Sequence, residues 1–91
     1  MTNNDKHFED LMDFPAEMTF RVVGDATALF RAASESAVFE TLGRAASPVA
    51  VQPSKGGKYW VVRLTVTVDN ADEIRALYQA LNGVDGARMV M

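Results

Sequence analysis

The stretch from Tyr59 to Val68 constrains this chain more than any other. One parity runs Trp60, Val62, Leu64, Val66, Val68 and the other Tyr59, Val61, Arg63, Thr65, Thr67. Only an extended strand keeps such a period of two on constant faces. The even face belongs to a core and the odd face is partly open. Ten residues of β-branched and aromatic character suit a central strand, and a central strand needs partners on both sides. A chain of 91 residues buries only about 60% or somewhat more of its unfolded surface, so those partners must share one core.

They can be found on either side of it. Met18, Phe20 and Val22 alternate with Thr19 and Arg21, which predicts a strand over 18–23 that Gly24-Asp25 breaks. Residues 26–42 are Ala-rich and free of Gly and Pro. They predict a helix with Asp25 as its cap, Gly43 as its stop, and Phe30, Ala33 and Ala37 inward. Leu29, Val38, Phe39 and Leu42 spread the apolar pattern beyond that face, toward either a wider core or a partner. Val49 to Pro53 forms a short strand, placed at an edge because proline donates no ladder hydrogen bond, and Gly56-Gly57 marks a hairpin turn. Asn70 with Glu73 resembles a capping box, after which Ile74, Leu77, Tyr78 and Leu81 keep helical spacing up to Asn82-Gly83. A last strand covers Ala87 to Met91, with Ala87, Met89 and Met91 on one parity and Arg88 and Val90 on the other.

The order βαββαβ with right-handed crossovers predicts an α+β, ferredoxin-like sandwich. Its four-stranded antiparallel sheet has the order 4-1-3-2, with both helices on one face. The other face is left uncovered.

Charge divides the chain in two. Residues 1–17 hold Asp5, Glu9, Asp10, Asp13 and Glu17 against Lys6, a balance of -4, whereas the net charge of the whole is -3. An acidic N-terminal arm thus precedes a nearly neutral domain over 18–91. Within the arm, Phe8, Leu11 and Met12 fit a turn or two of helix that Phe14-Pro15 ends.

Little in the sequence is equipped for catalysis, and no enzyme activity is expected. The absence of cysteine excludes disulfides, thiolate nucleophiles and thiolate metal sites. His7 is the sole imidazole and sits in the arm, where no fixed base or ligand set surrounds it. Asp72-Glu73 is accounted for by a helix start and Glu9-Asp10 by solvation. Lys55-Gly56-Gly57-Lys58 lacks the spacing of a phosphate loop and leads into a strand. No metal or cofactor is expected. No apolar stretch approaches the ~18 residues of a membrane span and no signal peptide opens the chain, so the expected location is the cytoplasm.

Strand parity assembles one constellation. If Phe20, Trp60 and Met89 point to the helices, then Arg21, Arg63 and Arg88 share the open face with Thr19, Val23, Tyr59, Val61, Thr65 and Val90. Such a surface would take an anionic ligand or an acidic partner; alternatively, the acidic arm or a second copy of the sheet covers it. A nucleic acid would need stacking aromatics, and the open parity of the long strand offers only Tyr59. The negative net charge also opposes phosphate binding.

Phe14-Pro15, the strand ending at Gly24, Val51-Gln52-Pro53-Ser54 running to Gly57 and Tyr59, Leu77-Tyr78, and terminal Arg88-Met89-Val90-Met91 together resemble the YbeD-like family of small bacterial proteins. The resemblance spans roughly residues 11–91. It implies a protein of unknown function with a ferredoxin-like fold similar to ACT regulatory domains, which sense small molecules and pair through sheets or helices. By that likeness Gly24, at the first strand-to-helix turn, and Asp25 become candidate ligand contacts. The implied role is non-enzymatic: sensing of a small anionic metabolite through a homodimer, or, as the alternative, docking of a partner protein through the open sheet or the first helix. The Ala-rich first helix and Trp60 depart from the family pattern.

Overall fold

The computed structural model describes residues 13–91. The expected helical turn through Phe8, Leu11 and Met12, and His7 with it, lie outside those residues. Strand β1 spans Ala16–Asp25, helix α1 Ala28–Leu42, β2 Val49–Pro53, β3 Tyr59–Val68, α2 Ala71–Asn82 and β4 Ala87–Val90. The sheet order is β2-β3-β1-β4, the expected 4-1-3-2 seen from the opposite edge. β3 pairs antiparallel with β1 from Ala16↔Val68 to Asp25↔Tyr59, and on its other side with β2 from Val49↔Leu64 to Pro53↔Trp60.

The even parity of β3 points into the core. Val62, Leu64, Val66 and Val68 join Phe20 and Val22 of β1, Phe30 and Val38 of α1, and Ile74, Leu77 and Leu81 of α2 in one buried cluster. Tyr78 sets its ring edge-on to Phe20, with centroids 5.1 Å apart, a geometry that aromatic quadrupoles favour. Both helices therefore cover one face of the sheet.

Three local expectations change. The cap of α1 is Thr27, whose Oγ1 accepts from the Phe30 amide at 3.0 Å, and Asp25 is instead the last residue of β1. The chain needs two further residues to leave the strand before the helix begins. The buried face of α1 is Phe30, Ser34 and Val38, spaced four apart; Ala33 and Ala37 are half-buried toward α2. Ser34 is accommodated because its hydroxyl donates to the Phe30 carbonyl at 3.0 Å. The link from β2 to β3 is a 3-10 turn, Lys55–Gly57, with Gly56 and Gly57 at φ of 87° and 74°, a conformation that costs glycine least. At the start of α2, Asn70 Oδ1 accepts from the Glu73 amide at 3.0 Å as expected, while Glu73 Oε1 reaches back to the Asp69 amide at 2.7 Å.

Capping by Thr27 has a measurable consequence. Thr27→Ala is expected to lower stability by about 1 kcal/mol, the usual effect of losing a cap oxygen. Asp25→Ala should lower it by less than half as much, and urea unfolding of the two variants checks the difference.

Candidate functional site

The sheet face opposite the helices, uncovered among the described residues, is built from the odd parities of β1 and β3. Arg21 lies directly opposite Arg63, and Val23 opposite Val61. Thr19 and Thr65, one row further, share a hydrogen bond between hydroxyls at 2.8 Å. On β2, Ala50 extends the arginine row and Gln52 the valine row.

β4 reaches this face through an irregularity that alternation does not reveal. Val22 pairs with Val90 and Val23 with Met89, but Gly24 pairs with Ala87. One step along β1 thus matches two along β4, and Arg88 is the extra residue of a β-bulge. The expected parity of β4 is corrected accordingly. Val90 packs with Ala87 against the core, whereas Met89 shares the open face with Val23 and is 53% exposed. Met91 exchanges both backbone hydrogen bonds with Arg21, at 2.9 and 2.7 Å, which puts it on that face as well. Arg88 does reach the open side, because the bulge re-aims it: its Cζ lies 5.4 Å from the centre of the Tyr59 ring. Lys58 places its Nζ 5.7 Å from the centre of the same ring, so two cations lie over one aromatic side chain.

The six arginines of the chain divide by face. On the helix side, Arg31 pairs with Glu35 at 3.0 Å, Arg44 with Asp69 at 3.0 Å and Glu73 at 2.6 Å, and Arg75 with Asp72. The hydrogen bond to Asp69 is the main cause that holds the Arg44 guanidinium above its ordinary range; partial burial opposes it and Glu73 adds to it. On the sheet side, Arg21, Arg63 and Arg88 have no carboxylate within ion-pair distance among the described residues. Two like charges facing each other across strands are mutually repulsive. Between the arginine pair and Tyr59 lie about 13 Å of strand, occupied by Val23, Val61 and Met89.

Gly24 and Asp25 end β1 just beyond Val23, opposite Trp60 and Tyr59 of β3. Gly24 is buried, and a Cβ there would collide with the Phe30 ring and come within 2.6 Å of the Gly86 carbonyl oxygen. The glycine admits close packing of the first turn against the loop before β4. The shallow recess beside it, about 190 Å³, is lined by Asp25, Thr27, Leu29, Phe30, Ala33 and Asp85. Two larger recesses on the helix side, about 380 and 270 Å³, carry Glu40 and Asp85, and Glu35 and Glu40. None of the three contains a lysine or arginine. Asp25 thus borders a recess that carries no arginine, while its strand partner is Tyr59.

Against known proteins, the family model described as "Protein of unknown function (DUF493)" matches residues 9–91. The chain belongs to this family. Its similarity to a UPF0250 protein of Shewanella sp. (strain ANA-3) is 37% identity over 84 residues, covering 92% of this chain and 94% of the relative. A UPF0250 protein of Vibrio vulnificus (strain YJ016) is 33% identical over 93 residues, covering 98% and 96%. The YbeD-like resemblance is thus met. Among solved structures, the fold is similar to the solution structure of protein HP0495 from H. pylori, with TM-score 0.65, 19% identity, and coverage of 88% and 85%. It is also similar to the crystal structure of the ACT domain from GTP pyrophosphokinase of Chlorobium tepidum, with TM-score 0.63, 17% identity, and coverage of 82% and 94%. The ferredoxin-like, ACT-like architecture is common to all three. No helix among the described residues is long and apolar enough to cross a membrane.

The packing role of Gly24 yields a second expectation. Gly24→Ala should destabilise the fold by about 1–3 kcal/mol, as overpacking of a filled core does. Chemical denaturation measures it, and an unchanged midpoint would mean that close packing does not account for Gly24.

Proposed function

We propose that the protein is a non-catalytic binding module of the cytoplasm whose working surface is the open sheet face, and that its partner is an acidic segment of another protein. The division of the arginines carries this reading. Every arginine of the helix side has a carboxylate partner, while Arg21, Arg63 and Arg88 have none among the described residues. A carboxylate received between Arg21 and Arg63 would relieve their repulsion and gain charge-assisted hydrogen bonds. Val23, Val61, Met89 and Met91 add apolar area that a folded or extended segment would bury.

Other occupants fit this surface less well. A second copy laid face to face would set three arginines against the same three. A nucleic acid would find one stacking ring, Tyr59, on a chain of net charge -3.

Sensing of a small anionic metabolite through an ACT-like dimer is a second reading, favoured by the likeness to the Chlorobium tepidum ACT domain. The carboxylates that line the helix-side recesses weigh against it. A flat sheet also encloses a small ligand poorly.

A labelled peptide alternating Glu and Leu serves as the probe. Its affinity should fall with salt and drop tenfold or more in Arg21→Ala/Arg63→Ala, the effect of about 1.4 kcal/mol. Arg31→Ala, on the helix side, should bind as the wild type does. Binding unaffected by the paired substitution, or a saturable thermal shift with free amino acids and none with the peptide, would overturn the reading.

A further inference from the structure

Helix α1 has an inverted distribution of side chains. It buries a serine, Ser34, between Phe30 and Val38, while Leu29 is 82% and Phe39 54% exposed. Leu29, Ala32, Ser36 and Phe39 are spaced three, four and three apart, and all four are exposed. At 100° per residue this stripe lies diametrically opposite the buried one. The core of the protomer has no use for it, and a two-sided apolar helix is otherwise found between two packed layers.

From these positions we infer that α1 pairs with α1 of a second copy, antiparallel about a two-fold axis. The stripe is self-complementary under that operation. Its axis falls at the level of residue 34, midway between Leu29 and Phe39 and also between Ala32 and Ser36, so each large residue meets the other large residue and the small ones meet at the centre. Small central residues permit close approach of the two helices. A recess of about 270 Å³ lined by Glu35, Ser36, Phe39, Glu40 and Ala45 lies on the same stripe, at the end where Leu29 of the second copy arrives. Each protomer thus offers one knob and one hole, as an isologous interface requires.

Charge is compatible with the pairing. The four stripe residues are uncharged, and Arg31 and Glu35 at its flank neutralise each other within one copy at 3.0 Å. The two-fold brings Glu35 level with Ala33 and Glu40 level with Ala28, so no carboxylate faces another. A seam one helix wide falls at the low end of interface sizes, below about 1,200 Å² in total, and the dimer is accordingly weak and dependent on concentration. It is also a back-to-back arrangement, with both open sheets outward. This pairing does not depend on what those sheets bind, but two sheets on one particle would bind a repeated partner with avidity.

Sedimentation velocity over a micromolar to millimolar range tests the inference. Wild type should pass from monomer to dimer, and Leu29→Glu and Phe39→Glu should each move the midpoint upward at least tenfold while circular dichroism stays unchanged. Leu29→Ala serves as a milder variant with an intermediate shift. Because the chain has no cysteine, Ala32→Cys and Ser36→Cys report orientation cleanly. A short bifunctional thiol cross-linker should join the two variants to each other faster than either to itself. A wild type monomeric throughout, a dimer indifferent to both glutamates, or cross-linking no faster in the mixture would overturn the proposal.

Discussion

Strand β3 lies at the centre of the sheet, dry on one side and wet on the other, and every other element is placed by that condition. Its ten residues pair with all ten of β1 on one edge and with β2 on the other, so a slip of one residue would turn Val62, Leu64, Val66 and Val68 to water together. The two helices follow from the need to cover those four side chains, and the turns from the need to reach the correct edge. The opposite parity, held in register by the same hydrogen bonds, is left as a surface. Its composition is therefore free of the packing demand and open to another function.

That surface has been filled in a way stability alone does not favour. Arg21 and Arg63 face each other in a position where a threonine pair, as one row away at Thr19 and Thr65, would form a hydrogen bond. The helix side follows the opposite policy, with each guanidinium next to a carboxylate. Among the described residues one set of arginines is neutralised and the other is not, which is the contrast on which the proposed binding role rests. The two exposed methionines at its edge, Met89 and Met91, supply adaptable apolar contact of the kind that suits a protein partner.

Much of this was legible from residue order. The ten-residue alternation, the turn glycines and the Asn70–Glu73 start of α2 gave the strand order and the helix layer, and parity alone brought Arg21, Arg63 and Tyr59 together. The bulge at Arg88 was not legible. A four-residue strand carries too little pattern to show one inserted residue, and the insertion exchanges Met89 and Val90 between faces while leaving Arg88 where strict alternation had put it. The cap of α1 was missed because Asp25 and Thr27 both have cap chemistry, and the choice depends on how far β1 continues beside β3. The inner face of α1 was missed because an Ala-rich helix with apolar residues all round has no unique side. Its surplus, Leu29 and Phe39, was visible in the sequence, but only the burial of Phe30, Ser34 and Val38 shows which apolar residues are left over.

Opposed charges on the open face are the physical premise of the binding role, and Arg63→Thr tests them most directly. Removing one guanidinium from a cross-strand pair that has no counter-charge among the described residues is expected to raise unfolding free energy by about 0.2–1 kcal/mol, and to reduce the stabilisation that added sodium chloride gives the wild type by screening. A variant that is less stable than the wild type, with its salt dependence unchanged, would mean that Arg63 already has its counter-charge within the folded protein and that the sheet face is not held open for an acidic partner.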